Sequence, residues 1–264
     1  MDVLVCIKQV PESNKVEVDP KTGALIRDGV DSKMNPFDLY ALETAFRIRE
    51  KLGGTVKVIS MGPPQAKEVI YEAFSMGADA GALVSDRAFG GADVLATSYT
   101  LSQAIRKVGH FDLILCGKQT IDGDTAQVGS EISEYLGIPS FANVLGIDDV
   151  QKDNITVKID LPNAIEVSKV TLPCLLCVEK DIYQPRLPSY IKKQATKDRE
   201  VPMITLKDLP DSSPDRYGLH GSPTQVQRIF PPEVNNDREI FHGTSEELSK
   251  KLMNTLVERK FVGR

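Results

Sequence analysis

The chain has 264 residues, 41% hydrophobic and 26% charged, the balance of a globular protein rather than a disordered one. Lys and Arg number 32 against 37 Asp and Glu, the net charge is −5, Trp is absent and aromatic residues make up 6%. These values argue against nucleic-acid partners, base-stacking platforms and a membrane surface. No run is long and apolar enough to span a bilayer. The N-terminus carries no signal-peptide pattern, and Cys6, Cys116, Cys174 and Cys177 are too few for a disulfide scaffold. A cytoplasmic protein is expected.

In chain order, Val3 to Ile7 is a short buried strand. Val16 to Ile26 reads as a small hairpin turning at Pro20 to Gly23. Leu39, Leu42, Ala45, Phe46 and Ile48 recur at helical spacing, with Asn35 as cap and Pro36 at the first helical position. Val56 to Ile59 is the next strand, followed by a helix from Pro63-Pro64 carrying Ala66, Val69, Ile70, Ala73 and Phe74. Ala82 to Val84 and Leu113 to Cys116 are further strands, separated by a helix from about Asp93. A fourth helix is expected to start near Asp124 and to stop at Gly137. This alternation predicts an α/β fold with a doubly wound, mostly parallel sheet over residues 1–209.

After residue 150 the pattern changes. Ile155 to Ile159, Ile165 to Leu172 and Leu175 to Val178 are strands without intervening helices, a small additional β segment. A basic stretch follows, from Lys192 to Arg199. Residues 210–264 are expected to form a C-terminal arm, rich in Pro, Gly, Asn and Asp up to Gly243. It ends in a helix opened by a Thr244–Glu247 capping box and bearing Leu248, Leu252, Leu256 and Phe261. No internal repeat is visible.

In an open parallel sheet, ligands sit beyond the carboxyl ends of the strands. The residues to read are therefore Lys8-Gln9, Ser60 to Pro63, Ser85 to Gly91 and Gly117 to Thr125. The last loop delivers Gly123, Asp124 and Thr125 to a helix start, where free N–H groups and the dipole favour a phosphate. By itself Asp124 reads equally as a simple cap. Four such loops on one edge favour a nucleotide. There is no G-x-G-x-x-G after the first strand and no Walker A motif, which argues against a conventional dehydrogenase and a P-loop nucleotidase.

Cys174-Leu175-Leu176-Cys177 lies in a strand-like run, where residues three apart point to opposite faces, so a redox pair or half a zinc site is not expected. Cys6 and Cys116 are either small packers or contacts to whatever fills the sheet edge. His110, His220 and His242 are scattered, and no metal site is expected. No nucleophile has an adjacent base, so a bound cofactor is expected to carry the reactivity. Leu187 to Ile191, beside the basic strip, has the look of a docking loop, although such a strip is usually a solvated face.

Several motifs together resemble the beta (small) subunit of electron-transfer flavoprotein over nearly the whole chain. They are Val5 to Pro11, Met34 to Asp38, Ala73 to Asp79, Gly117 to Gly129, Gln184 to Pro188 and Gly218 to Pro223. The resemblance implies an adenine-nucleotide alpha-hydrolase-like fold and a larger alpha subunit that holds a flavin. It carries nucleotide contacts onto Cys6, Asn35, Pro36, Phe37, Asp38, Met61, Gly117, Gln119, Thr120, Asp122, Gly123, Asp124, Thr125, Ala126, Gln127 and Val128. The rim loops add Lys8, Ser60, Gly62, Arg87, Asp93, Thr97 and Cys116.

The Ser60 to Ala66 turn and the Asp86 to Asp93 loop resemble the electron-bifurcating form, in which the pocket holds FAD that accepts hydride from NADH. The resemblance then implies one electron passing to ferredoxin or flavodoxin. The other passes through the alpha-subunit FAD to a dehydrogenase of acyl-CoA, enoyl-CoA or 2-hydroxy-acid type. Arg87 is the candidate for the isoalloxazine or the phosphates, with an ion pair to a nearby acid as its alternative. Leu187, Pro188, Tyr190 and Ile191 match the partner-recognition loop, within residues 184–199, with Leu187 as anchor. Two other functions stay open: a non-bifurcating beta subunit with structural AMP, and a nucleotide-binding module of universal-stress type.

Overall fold

The computed structural model describes residues 1–12, 17–18, 25–26, 32–227 and 238–262. Contacts divide the chain into two compact units, Met1–Arg228 and Ile229–Arg264. The first contains β1 (Asp2–Cys6), β2 (Gln9–Pro11), β3 (Glu17–Val18), β4 (Leu25–Ile26), β5 (Ser32–Met34) and α1 (Pro36–Leu52). It continues with β6 (Thr55–Met61), α2 (Lys67–Met76), β7 (Ala80–Val84), α3 (Val94–Val108), β8 (Leu113–Gly117) and α4 (Val128–Leu136). Then come β9 (Ser140–Val150), β10 (Asn154–Leu161), β11 (Ala164–Thr171), β12 (Cys174–Val178), α5 (Tyr190–Thr196) and β13 (Met203–Ile204). The second unit holds α6 (Ser245–Glu258).

One nine-stranded sheet runs in the order β11-β10-β9-β12-β8-β1-β6-β7-β13. Its strands are parallel from β9 to β13, and β10 and β11 extend it as an antiparallel meander. The α/β fold expected from strand–helix alternation is present. Successive strand residues alternate between two apolar layers. Val3 and Val5 of β1 pack with Leu42, Phe46 and Phe74 of α1 and α2, whereas Leu4 packs with Tyr99, Ile105 and Ile132 of α3 and α4. Helices on both faces explain why these strands read as continuous apolar runs.

β3 pairs with β4 as an antiparallel hairpin; its expected turn at Pro20 to Gly23 lies outside the described residues. The first unit extends past the boundary expected at residue 209. Tyr217 is fully buried against Phe89 and Tyr99, and Thr224 donates to the Asp93 carboxylate. These contacts hold residues 210–227 to the α3 side of the sheet. Residues 228–237, the middle of the expected arm, lie outside the described residues. α6 opens on its expected capping box: Glu247 accepts from Thr244 N at 2.8 Å, and the Thr244 hydroxyl accepts from Glu247 N. Among the described residues, no helix is long and apolar enough to cross a membrane.

Candidate functional site at the carboxyl edge of the sheet

The strand order reverses around β1, since β6 lies on one side and β8 on the other. In open α/β sheets, the crevice at such a switch point is where ligands bind. Three segments meet there: the chain after β1, the turn before α1 and the loop after β8.

Asp38 knots them together. Its Oδ2 accepts the Lys8 N–H at 2.7 Å and its Oδ1 accepts the Asn35 amide at 2.9 Å. It also accepts a backbone hydrogen bond from Gly117. Burial pushes this carboxyl up to about 7, against the opposing pull of those donors and the Lys8 charge. A Cβ on Gly117 would lie 2.6 Å from Asp38 Oδ1 and from the Phe37 carbonyl carbon, so only glycine allows the two loops to approach this closely.

Asn35 stands before α1, with Pro36 at the first helical position as expected, but its side chain does not cap the helix. It crosses instead to the loop after β8. Its amide donates to Gln119 O at 2.9 Å and its Oδ1 accepts the Ile121 N–H at 3.3 Å. Lys8 Nζ closes the front of the crevice on both oxygens of Asp122, at 2.8 and 2.7 Å. Burial raises the Asp122 carboxyl, but the Lys8 hydrogen bond and charge outweigh it and leave it below its ordinary range.

The helix expected to start near Asp124 starts at Val128. Asp124 and Ala126 take left-handed backbone at φ 53° and 55°, which no α-helix admits. The Asp124 carboxylate accepts from the Gln119 amide rather than capping α4. The result is an exposed coil over 122–127. Among the described residues, the N–H groups of Thr125, Ala126 and Gln127 find no acceptor. Together with the first turn of α4 they leave several backbone donors exposed at one loop, the kind of group a phosphate takes at a helix start.

Gly117, Gln119 and Thr120 are half-buried in this crevice, and Cys116 is buried beneath it. Cys6 and Met61, half-buried, end neighbouring strands, and Gly62 N donates to Val84 O at 3.1 Å. Ser60 is buried, and its hydroxyl meets no partner among the described residues. Arg87 is exposed on a short 3₁₀ turn and forms no ion pair among the described residues. Its alternative role as a partner to a nearby acid is therefore not seen there. Asp93 has a structural occupation: it accepts from Ala96 N at 3.1 Å, capping α3, and from Thr224 N at 3.0 Å. Thr97 is half-buried in the first turn of α3.

Contacts missed in the sequence come from the Gly218 to Pro223 motif, assigned there to the arm. Leu219 N donates to Gly90 O at 3.0 Å and Ser222 Oγ accepts from Asp93 N at 2.8 Å. This motif thus buttresses the Arg87 loop. Its glycines and its unusual composition were the available signal.

The Leu187 to Ile191 segment, read from sequence as a docking loop, lies on α1 and α2. Leu187, Tyr190 and Ile191 are 87%, 74% and 80% exposed, and Pro188 is exposed beside them. The basic stretch after them contains the short helix α5. Lys192 Nζ donates to Met76 O at 3.3 Å and Arg199 to Ala78 O at 3.0 Å. These two cations satisfy carbonyls at the end of α2, so they are not part of a free docking strip. Cys174 packs into the α1–α2 layer and Cys177 into the α3–α4 layer, opposite faces as expected from strand geometry. The three histidines are exposed.

Residues 22–209 match the model of the electron transfer flavoprotein domain. The chain is 45% identical over 264 residues to electron transfer flavoprotein subunit beta of Thermoanaerobacterium thermosaccharolyticum, covering 99% of this chain and 100% of that one. It is 45% identical over 266 residues to subunit CarD of the caffeyl-CoA reductase-Etf complex of Acetobacterium woodii, covering 99% and 100%. Protein FixA of Bradyrhizobium diazoefficiens is 37% identical over 262 residues, covering 97% and 91%. With the order of loops along the sheet edge, these matches show that the chain belongs to the electron transfer flavoprotein family, on its beta-subunit side.

Proposed function

We propose that the crevice between β1 and β8 holds FAD, and that the chain works with a flavin-bearing alpha subunit in NADH-dependent electron bifurcation. The observation that carries this reading is the donor array at Thr125, Ala126 and Gln127, beside the glycine-dependent contact of Gly117 with Asp38. The residues fit the group: backbone donors at Thr125 to Gln127 would take a pyrophosphate, and buried Asn35 and Asp38 with half-buried Gly117 to Thr120 would border the adenosine part. AMP satisfies the same donors. FAD is favoured by the exposed Arg87, which stands free on the adjoining rim, and by similarity to a subunit of a caffeyl-CoA reductase-Etf complex.

Bound there, FAD supplies the redox chemistry: hydride acceptance from NADH and onward passage of single electrons. The protein's own residues bind and orient. Asp38 fixes the spacing of three loops, Lys8 balances the Asp122 charge and would meet the phosphates, and Arg87 would approach the ring or the pyrophosphate. On this reading one electron would go to ferredoxin or flavodoxin, and the other, relayed by the alpha-subunit FAD, to an acyl-CoA, enoyl-CoA or 2-hydroxy-acid dehydrogenase docked at Leu187. Residues 210–227 stay with the α3 side of this chain's own sheet, and α6 contacts the alpha subunit through its exposed apolar side chains Leu252, Met253 and Val257.

Anaerobic titration of the purified alpha–beta complex with NADH tests this. Bleaching of flavin absorbance at stoichiometric NADH is expected and is lost in Lys8→Ala or Arg87→Ala. A complex whose flavin NADH leaves untouched contradicts the bifurcating reading and leaves the AMP-bearing form.

A further inference from the structure

Three parallel strands, β1, β8 and β12, end side by side, and each carries a cysteine at the same level. Cys6 stands opposite Cys116, and Cys116 opposite Cys177. All three project to one face: Cys116 and Cys177 belong to the α3–α4 layer and Cys6 packs against it. Cys174 faces the other layer. The middle thiol, Cys116, lies between Cys177 and Cys6, and these two neighbours, followed by burial, push it well above the ordinary thiol range. Cys6 is half-buried, whereas Cys116, Cys174 and Cys177 are buried.

Access and freedom differ along the row. Cys6, at the end of β1, is the thiol a small neutral solute reaches first. Cys177 is pinned by α4, because a Cβ on Gly129 would lie 2.3 Å from its sulfur. Adjacent strands lie ~4.8 Å apart, inside the ~4.4–6.8 Å Cα window of a disulfide. The facing pairs in the row therefore have the Cα spacing a disulfide spans.

We propose that Cys6 is an oxidation site and Cys116 its resolving thiol, the oxidant being a peroxide. The Cys6 sulfur, as thiolate, attacks one oxygen of hydrogen peroxide. The O–O bond breaks, hydroxide leaves and takes up a proton as water, and Cys6 is oxidised by two electrons to sulfenic acid. Cys116 sulfur then attacks Cys6 sulfur, the S–O bond breaks and water leaves with the Cys116 proton. The balance is two thiols and one peroxide giving one disulfide and two waters, and a dithiol reverses it. A second consequence rests on the proposed nucleotide site: Cys6 lies two residues before Lys8, so a nucleotide on the rim shields it, and the disulfide hinders nucleotide return.

The test uses the full chain freed of nucleotide, treated with hydrogen peroxide, blocked with N-ethylmaleimide and mapped by peptide mass spectrometry. A Cys6–Cys116 cross-link that dithiothreitol removes is expected, and it persists in Cys177→Ala. In Cys116→Ala, dimedone traps Cys6 as sulfenic acid. Unmodified Cys6, over-oxidised Cys6 without a cross-link, or a cross-link that needs Cys177 overturns the proposal in the wild-type chain alone. FAD or AMP slows cross-linking several-fold. If neither does while the cross-link still forms, the thiol pair stands and the rim site fails.

Discussion

Arg186 holds Glu43, a residue 3% exposed on α1, by three hydrogen bonds: Nε at 2.8 Å, the backbone N at 3.2 Å and a terminal nitrogen at 3.2 Å. A fourth bond reaches Glu50 at 2.8 Å, and the guanidinium lies 4.8 Å from the Phe46 ring centroid. The residue directly after this clamp is Leu187, 87% exposed. A rigid base thus presents an apolar tip, which is the arrangement a docking anchor requires.

Arg186→Ala removes the two guanidinium bonds to Glu43 and leaves it Arg47 and the backbone N–H of residue 186. A loss of about 1–3 kcal/mol is expected from the weaker hold on this buried carboxylate, read as a lower urea midpoint. Burial raises the Glu43 carboxyl, yet the Arg186 bonds outweigh it and hold it below its usual 4.5. Its contribution is therefore present above that value and declines as pH falls through the lower folded value.

Leu187→Asp removes only exposed apolar surface. Stability within about 0.5 kcal/mol of the parent is expected, with electron delivery to the dehydrogenase lost in a coupled assay. An unchanged coupled rate removes Leu187 from the interface.

Asp38 has the opposite sign to Glu43. Its folded value, about 7 against 3.8, means that the folded state binds the proton more tightly. The associated stability is fully present below 3.8 and is lost as pH rises through about 7. Denaturation midpoints of wild type are expected to fall between pH about 3.8 and about 7 relative to Asp38→Asn, which lacks this titration. Parallel pH profiles for the two proteins contradict this.

Gly117→Ala sets a methyl 2.6 Å from Asp38 Oδ1 and the Phe37 carbonyl carbon. Forced separation of the loops is expected to cost about 1–3 kcal/mol and to lower nucleotide content. Co-purified nucleotide equal to wild type shows that the contact does not shape the site.

Much of this architecture is legible in the chain. Strand runs such as Leu113 to Cys116 are apolar at every position because helices cover both faces, and Pro36 and the Thr244–Glu247 box mark helix starts by local chemistry. What misleads is chemistry that serves a distant partner. Asn35 has the type of a cap, yet its amide bonds Gln119, which is close only after folding. Asp124 looks like a helix start, but left-handed backbone at Asp124 and Ala126 delays α4 to Val128. Lys192 and Arg199 read as a solvated basic strip because the carbonyls they satisfy, at the end of α2, are more than a hundred residues earlier. Asp93 and Thr224 likewise meet across 131 residues.

The most direct measurement is the identity and amount of nucleotide released by heat from the purified alpha–beta complex. The account predicts two FAD per alpha–beta pair and no AMP. One FAD together with one AMP would contradict it.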